Sequence, residues 1–430
     1  MYRAVLTDRL LRPYLFGSGA SAVGDAAALL GFLLVVQQAT GSAAQVTGIA
    51  LAEAAPYLAF GLLGGAITDR LPRLPLIIGI DVIRGAVQCG VCLLVATGNA
   101  PYPVLVAAVA LLQLGGCFVN PARRALLPDL TSESLLPTAN AVLSTAQTGA
   151  ALIAPVCAVA IITTTGPAAF FALDAASYLA SAGSAALLAR RWKQPPSVPT
   201  GQDATAEPAS ARHARLRGAL RRTAGDLRGF WTMIAGHREL RSLLIGTALV
   251  VLATTWARMI GMLLLAAPQD PSGRLFSLLT AVVAAAGLVA GLLLPLLVGR
   301  PNLPTYTLGA LVWGIGIGIA VLPFGPLALF VGAAAQGVGF AVTNAARSYV
   351  LQTRLQSGER GQGFAAAATA LYLADVASIA LFGILTVIVD TPTLMLAAAV
   401  ATCAAAGLTW AATRSGSKTP AETDLSLPAA

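Results

Sequence analysis

Long apolar segments recur along the whole chain and constrain its fold more than any other feature. A helix needs about 20 apolar residues to cross the hydrocarbon core of a bilayer. Twelve segments are of that order, with limits near 12–37, 46–67, 76–97, 102–122, 138–163, 168–189, 241–266, 275–298, 304–322, 326–346, 363–389 and 392–412. Since only 10% of the 430 residues are charged, an ordinary soluble domain is excluded. We therefore predict an all-α polytopic membrane protein with twelve transmembrane helices.

Basic residues lie almost entirely on one side of these segments. If the N-terminus is cytoplasmic, the loops on that side and a central linker contain nearly all of the arginine and lysine side chains, and Arg274 is the exception. This distribution follows the positive-inside rule. We predict a multi-pass protein of the plasma (inner) membrane with both termini in the cytoplasm. The same distribution explains the net charge of +9 without a nucleic-acid partner.

The linker divides the chain into two halves. Residues 1–189 are predicted to form an N-terminal six-helix bundle, and residues 241–412 a C-terminal one. The linker, 190–240, begins with a Pro-, Ser- and Thr-rich stretch typical of flexible segments. It continues with leucines and arginines at helical spacing, which favours a basic amphipathic helix on the inner membrane surface. Residues 413–430 are predicted to be a disordered cytoplasmic tail.

The two halves share a short sequence echo. Asn120 and Arg123, at the end of the fourth segment, recur as Asn344 and Arg347 at the end of the tenth. Repeated halves with six helices each are typical of secondary transporters, whose substrate site lies between the halves near the membrane midplane.

The loop between the second and third segments has an unusual charge cluster for so apolar a chain. It reads GGAITDRLPR, residues 64–73, and resembles the G-x-x-x-D-R-x-x-R loop of the major facilitator superfamily, although Pro72 and Leu74 depart from that pattern. The resemblance implies a conformational latch between helices. A plain positively charged turn with one paired acid is the alternative. The latch candidates are Gly65, Asp69, Arg70, Arg73, Asp81, Arg84, Arg123 and Arg124.

Further stretches of the first half are similar to one branch of that superfamily, drug:proton antiporter family 3, which includes macrolide efflux proteins and enterobactin exporters. These stretches are Ser21–Asp25, Asp81–Arg84, Asn120–Leu130 and Asp174–Tyr178. The resemblance implies two pseudo-symmetric six-helix bundles and proton-coupled efflux of an amphipathic small molecule, such as a drug, a macrolide, a siderophore or another natural product. Proton-linked uptake or facilitated diffusion of a nutrient remains an alternative, as does a membrane sensor that does not transport.

Ionisable residues inside the predicted spans are candidates for function, because each costs about 2.5–3.5 kcal/mol to insert at the centre of a membrane helix. Asp25, Glu53 and Asp375 are the candidates for proton coupling. Arg258 is the candidate counter-ion or anion contact. The superfamily fold directs the first and seventh segments to one cavity, so Arg258 is expected to be able to approach Asp25.

Two weaker sets of polar residues complete the site prediction. Asp81 and Arg84 are expected to pair with each other or with the loop. Gln113, Asn120, Asn140 and Asn344 are candidate polar groups of the cavity, with ordinary interhelical hydrogen bonds as the alternative.

No motif indicates an enzyme, a metal site or a cofactor. The five cysteines lie inside apolar segments and the two histidines flank no ligand cluster. A phosphate-binding G-x-x-x-x-G-K-[ST] loop is absent from the sequence. The expected partners are a small-molecule substrate, protons and the lipid bilayer, and the expected state is a monomer.

Overall fold

A computed structural model describes residues 2–68, 71–132, 135–192, 238–298, 301–355 and 360–414 of the chain. These residues form helices joined by short connections. The first half contains α1 Tyr2–Thr7, α2 Leu11–Thr40, α3 Ala43–Thr68, α4 Arg73–Ala96, α5 Tyr102–Leu130, α6 Leu136–Thr164 and α7 Ala168–Arg191. The second half contains α8 Arg238–Trp256, a π-helical turn Ala257–Gly261, α9 Met262–Ala266, α10 Arg274–Val298, α11 Leu303–Ile319, α12 Pro326–Arg354, α13 Arg360–Leu385 and α14 Thr391–Arg414.

The long helices correspond to the twelve apolar segments. Helix α8, the π-helical turn and α9 run on without a break, so together they form the seventh segment. Within the described ranges, eight helices are long and apolar enough to span a membrane by length and composition. The prediction of an all-α polytopic membrane protein is confirmed. The linker helix and most of the tail were predicted within 193–237 and 415–430, which lie outside the described residues, so those domain boundaries stay predictions.

Helix packing in the two halves follows one pattern. In the first half α2 packs on α6 and α7, α4 packs on α5 and α7, and α3 packs on α5. Each of these pairs has its counterpart in the second half: α8 with α13 and α14, α11 with α12 and α14, and α10 with α12. The halves meet along α6 with α10 and along α3 with α13. The fold is thus two six-helix bundles related by pseudo-symmetry.

The two ends of the molecule along the helix axes differ in how the halves pack against each other. We call one the basic end, where Arg12, Arg73, Arg124, Arg191 and Arg354 lie, and the other the opposite end. One large apolar core contains residues of both halves, from α2 and α3 together with α8 to α10 and α13. Near the basic end each half has a separate apolar core. The halves are therefore packed together at the opposite end and separately at the basic end.

Specific contacts join the halves at the opposite end. Gln38 of α2 donates to the carbonyl oxygens of Pro271 and Ser272, at 3.0 and 3.2 Å, in the loop before α10. Deeper in the molecule, the indole N–H of Trp256 donates to Thr47 of α3 at 3.3 Å. The Trp256 ring also stacks on Phe382, with 5.5 Å between the ring centroids.

Glycines spaced by seven residues bring α2 close to α7. These are Gly17, Gly24 and Gly31, and all three face α7. A β-carbon at Gly24 would lie 2.7 Å from the β-carbon of Ser177, and one at Gly31 would lie 2.7 Å from that of Phe170. Because small residues let membrane helices approach closely, this spacing places Asp25 directly against the polar face of α7.

Candidate functional site

The polar residues of α4 and α7 lie on facing surfaces of the two helices. On α4, Asp81, Arg84 and Gln88 are three and four residues apart, so they share one face. On α7, Asp174 and Tyr178 are likewise four residues apart. Each of these five side chains is buried, and Asp81 and Gln88 are entirely so. The packing of α7 against α2 and α4 gathers them around the middle of α2.

We call these five residues, together with Asp25 in their middle, the N-terminal centre. Asp25 lies 14 residues after the start of α2, or about 21 Å along the helix. The guanidinium of Arg84 reaches one of its carboxylate oxygens at 3.1 Å, and the hydroxyl of Tyr178 donates to the same oxygen. Arg84 also lies over the Tyr178 ring, with 4.1 Å from its guanidinium carbon to the ring centroid. The Asp25 side chain remains 39% exposed while that of Arg84 is 5% exposed, so the carboxylate is the part of the pair that water can reach.

A second ion pair lies closer to the basic end. Arg123 of α5 contacts Asp81 at 2.8 Å, and Ser181 of α7 donates to the same carboxylate at 2.7 Å. The predicted pairing of Asp81 with Arg84 is present but long, at 4.0 Å. The shorter ionic contact of Asp81 is with Arg123 of α5, and that of Arg84 is with Asp25 of α2.

A small polar cavity adjoins Asp25. Its volume is about 20 Å³, and its lining includes Asp25, Glu53, Asp174, Gln88 and Gln113. Asp174 accepts hydrogen bonds from Gln88 and Ser177, whereas the buried side-chain oxygen of Gln88 has no partner. A cavity of this size holds one water molecule, so the geometry suits a water shared by three carboxyl groups.

Asp174, Gln88 and Tyr178 were not among the sequence candidates for the site. The signal for Asp174 was available, because it is an acid seven residues inside an apolar segment. For Gln88 and Tyr178 the only signal was their helical spacing from Arg84 and Asp174.

The C-terminal half has a different charged centre. Arg258 lies in the π-helical turn, and its guanidinium carbon is 5.5 Å from the centroid of the Phe340 ring. Asp375 accepts a hydrogen bond from Thr255 and is within electrostatic range of both Arg258 and Arg347. Arg258 and Asp25 form no ion pair in this conformation among the described residues, so their approach stays a prediction. The carboxylate of Asp25 pairs with Arg84, and the acid near Arg258 is Asp375, because α8 packs on α13.

The predicted polar cavity residues have diverse surroundings. The amide of Asn120 donates to the hydroxyl of Tyr57 at 2.7 Å, next to an edge-to-face contact between Tyr57 and Tyr372 of the other half. Asn140 and Asn344 each donate to a backbone carbonyl one turn earlier in their own helix. Asn344 also accepts from Arg347 at 2.7 Å. Gln113 lines the cavity beside Asp25.

The latch candidates can be placed only in part. Asp69 and Arg70 lie outside the described residues, and of Gly65 only its position in α3 is described. Arg73 donates to the carbonyl of Ala125 at 2.9 Å and pairs with Asp129, both on α5. The remaining members are the paired residues Asp81, Arg84 and Arg123, and Arg124, which is exposed near the end of α5.

No metal centre accompanies these charges in the described part of the chain. No group of three or more His, Cys, Asp and Glu side chains there is placed to hold a metal ion. The charged side chains of the two centres can make ionic contacts and hydrogen bonds, and their carboxyl groups can bind protons.

Comparison with known proteins assigns the fold to a family. The sequence profile of the Major Facilitator Superfamily matches residues 15–268, more than half of the chain. The chain belongs to the major facilitator superfamily. Membership indicates a membrane transporter rather than an enzyme. No curated protein matches the chain significantly in sequence.

Solved structures of transporters share this major facilitator fold at low sequence identity. A bacterial homologue of the iron transporter ferroportin, in an inward-facing state, has a TM-score of 0.69 and 14% identity, over 94% of this chain and 100% of that one. The nucleoside transporter NupG has a TM-score of 0.68 and 13% identity, over 94% and 100%. A bacterial homologue of the human lysosomal transporter Spinster, inward-facing and unoccupied, has a TM-score of 0.65 and 15% identity, over 96% and 97%. At such identities the likeness establishes the fold alone.

Proposed function

We propose that this major facilitator is a proton-coupled exporter of an amphipathic small molecule that works by alternating access. The observation that supports the proposal best is Asp25, a partly water-accessible carboxylate at mid-depth of α2, held by Arg84 and Tyr178. A membrane-embedded carboxylate with a defined cationic partner is the arrangement expected of a group that binds and releases a proton during transport.

The coupling follows from the two contacts of Asp25. When the carboxylate is charged, it attracts Arg84 and accepts from Tyr178. When Asp25 takes up a proton, the ionic attraction to Arg84 is lost and α2 is held less firmly to α4. Glu53, across the small cavity, is the neighbouring acid that can exchange a proton with Asp25 through a water molecule. Only such differences in affinity between states can couple a proton to a substrate.

The packing of the halves supports alternating access. With the halves joined at the opposite end and separate at the basic end, this conformation corresponds to a cavity that opens toward the basic end. The alternate state requires the contacts of Gln38 with Pro271 and of Trp256 with Thr47 to break. In the same proposal, the pairs Arg73–Asp129 and Asp81–Arg123 belong to the latch that holds the first half in one state.

The sequence motifs of the first half support export rather than uptake. They resemble the drug:proton antiporter family 3 branch, and the arginines of the basic end support a cytoplasmic location for that end. We accordingly propose the plasma (inner) membrane as the location, both termini in the cytoplasm and a monomeric transporter. An exporter loads its substrate from the cytoplasm and exchanges it for protons from outside.

Proton flux in everted membrane vesicles tests this function. The vesicles are acidified inside, and a pH-sensitive dye reports the collapse of the gradient when macrolides, siderophores or other amphipathic compounds are added. Wild-type protein should release protons with at least one compound, and Asp25→Asn should not, at equal expression. Asp390→Asn is the matched control, since Asp390 is exposed and caps α14 through Thr393, a role that asparagine can also perform.

Two outcomes would reject parts of the proposal. Compound-dependent proton release that persists in Asp25→Asn would remove Asp25 from the mechanism. Accumulation of the compound in right-side-out vesicles, driven by an inward proton gradient, would show uptake instead of export.

A further inference from the structure

An apolar pocket beside Arg258 lies at the junction of the two halves. Its volume is about 60 Å³, several times the roughly 10–15 Å³ that one water molecule needs. Leu30 of α2 closes it on one side, while Met259, Phe276, Leu279 and Val283 line it from the other half. A ligand in this pocket would therefore touch both halves.

Arg258 is the one ionisable residue in the lining of this pocket. Within the described residues it makes no ion pair, whereas Arg73, Arg84 and Arg123 each do. Among the described residues, it lies over the Phe340 ring and interacts electrostatically with Asp375. A guanidinium in a membrane interior costs several kcal/mol unless a counter-charge compensates it. An anion bound in this pocket would supply that counter-charge.

The other charges nearby make the binding of an anion more favourable. Asp375 is the acid of the C-terminal centre, and it acts on Arg258 and Arg347 together. Arg347 has the neutral amide of Asn344 as its hydrogen-bond acceptor. Two guanidinium groups and one carboxylate leave this centre with a net positive charge. The N-terminal centre has the opposite balance, with Asp25, Glu53 and Asp174 around Arg84.

The local backbone also singles out Arg258. The five residues Ala257–Gly261 form a π-helical turn in an otherwise α-helical segment. Such turns are rare and are found frequently at functional sites. A change of helical register at this point alters the direction of the Arg258 side chain relative to the rest of α8.

We propose that Arg258 and this pocket bind an amphipathic organic anion, with its acidic headgroup on the guanidinium and its apolar part against Met259, Phe276 and Leu279. The inference rests on the proposed function in one respect, namely that the bound anion is the transported substrate. Binding itself can be measured without any transport. A cationic amphiphile would instead be drawn to the acidic centre of the first half.

A matched pair of fluorescent probes tests the charge requirement. Anilinonaphthalene sulfonate and N-phenylnaphthylamine share their aromatic skeleton and differ in the sulfonate. Both are titrated against the full-length protein in lipid nanodiscs, with empty nanodiscs as the reference. Arg258→Gln should weaken binding of the sulfonate by about tenfold, the usual scale of a charge-assisted hydrogen bond, and leave the neutral probe within about twofold. Arg258→Lys should retain an intermediate affinity for the sulfonate.

Two further variants define the site. Arg191→Gln removes an exposed arginine at the end of α7 and should leave the affinity for both probes unchanged. Thr280→Phe adds bulk to the pocket lining and should weaken both probes together. Thermal unfolding of each variant verifies that it is folded, and Arg258→Lys keeps the test decisive if Arg258→Gln does not fold.

Three results would overturn the inference. They are equal loss of both probes in Arg258→Gln, no loss of either, and wild-type protein that binds the neutral probe as tightly as the sulfonate. The proposed function is tested separately by proton flux. If flux depends on Asp25 while probe binding is insensitive to Arg258, only the anion site fails. If binding depends on Arg258 while flux ignores the proton gradient, only the proton coupling fails.

Discussion

The N-terminal half keeps its central charges in contact with one another, whereas the C-terminal half keeps its central charges apart. Arg84 touches Asp25, and Arg123 touches Asp81. Arg258 and Arg347, in contrast, are near Asp375 without an ion pair among the described residues. The helix packing of the halves is the same, so the difference comes from side chains placed on a common framework. In the two proposals made above, the first half binds protons and the second binds an anionic ligand.

The largest effect is expected from breaking the contacts of the first half. Arg84→Gln leaves Asp25 without its cation and should lower the free energy of unfolding by about 3 kcal/mol, the lower limit for a broken buried pair because Asp25 is partly exposed. Arg347→Gln removes a central arginine of the second half that makes no ion pair among the described residues, and it should lower that free energy by less than about 1 kcal/mol. Unfolding in mixed micelles measures both.

A second substitution checks that the loss comes from the unpaired charge. Asp25→Asn combined with Arg84→Gln should be more stable than Arg84→Gln alone. Equal stability of Arg84→Gln and Arg347→Gln would erase the contrast between the halves.

The next largest effect is expected from widening the close contact between α2 and α7, which holds the N-terminal centre together. In Gly24→Ala the new β-carbon meets Ser177 at 2.7 Å, so α2 and α7 must separate. We expect a loss of about 1–3 kcal/mol in the free energy of unfolding, as for other overpacked cores. Gly90→Ala is the matched control, because a β-carbon at Gly90 meets nothing within 4 Å. A similar loss in both variants would show that helix flexibility, rather than close packing, is the reason for glycine at position 24.

A smaller effect is expected in the C-terminal centre. Asp375→Asn removes a carboxylate that acts on Arg258 and should strengthen binding of anilinonaphthalene sulfonate by about three- to fivefold, since partly screened charges in a protein interact by about 1 kcal/mol. Asp390→Asn should leave that affinity unchanged. Weaker sulfonate binding in Asp375→Asn would mean that the acid positions Arg258 instead of competing with the ligand.

The smallest effect is expected away from both centres, at Asp270 in the loop before α10. Partial burial opposes ionisation, but hydrogen bonds from Ser272 and from the backbone N–H of Leu275 outweigh it and lower the pKa of Asp270. Its stabilising effect is therefore complete above the pKa of the unfolded chain and is lost as the pH falls through the lower pKa of the folded state. Asp270→Ala should lower stability by about 0.5 kcal/mol at neutral pH and by nothing in acid. A loss that is the same at both pH values would exclude the ionised carboxylate as its cause.

The sequence predicted the fold well because membrane helices are specified locally. Apolar length and the distribution of arginine determine where each segment crosses, and both can be counted along the chain. The close approach of α2 and α7 also had a local signal, the glycines at positions 17, 24 and 31, although it became interpretable only once the two helices were known to be neighbours.

The partners of the candidate residues were not predictable in the same way. Asp25 stood out as an acid in mid-span. Its pairing with Arg84 depends on the packing of both α2 and α4 against α7. Arg258 was assigned to Asp25 on the basis of the fold, and the packing of α8 on α13 places it near Asp375. The π-helical turn was not predicted from the sequence.

A change in the protonation of Asp25 is the most direct test of the account. Infrared difference spectra before and after acidification, recorded on the purified protein in lipid, detect the C=O stretch of a carboxyl group as it takes up a proton. The account predicts a carboxyl band that is present in wild-type protein and in Asp375→Asn and is missing in Asp25→Asn. Spectra of wild-type protein and Asp25→Asn that are identical would contradict it.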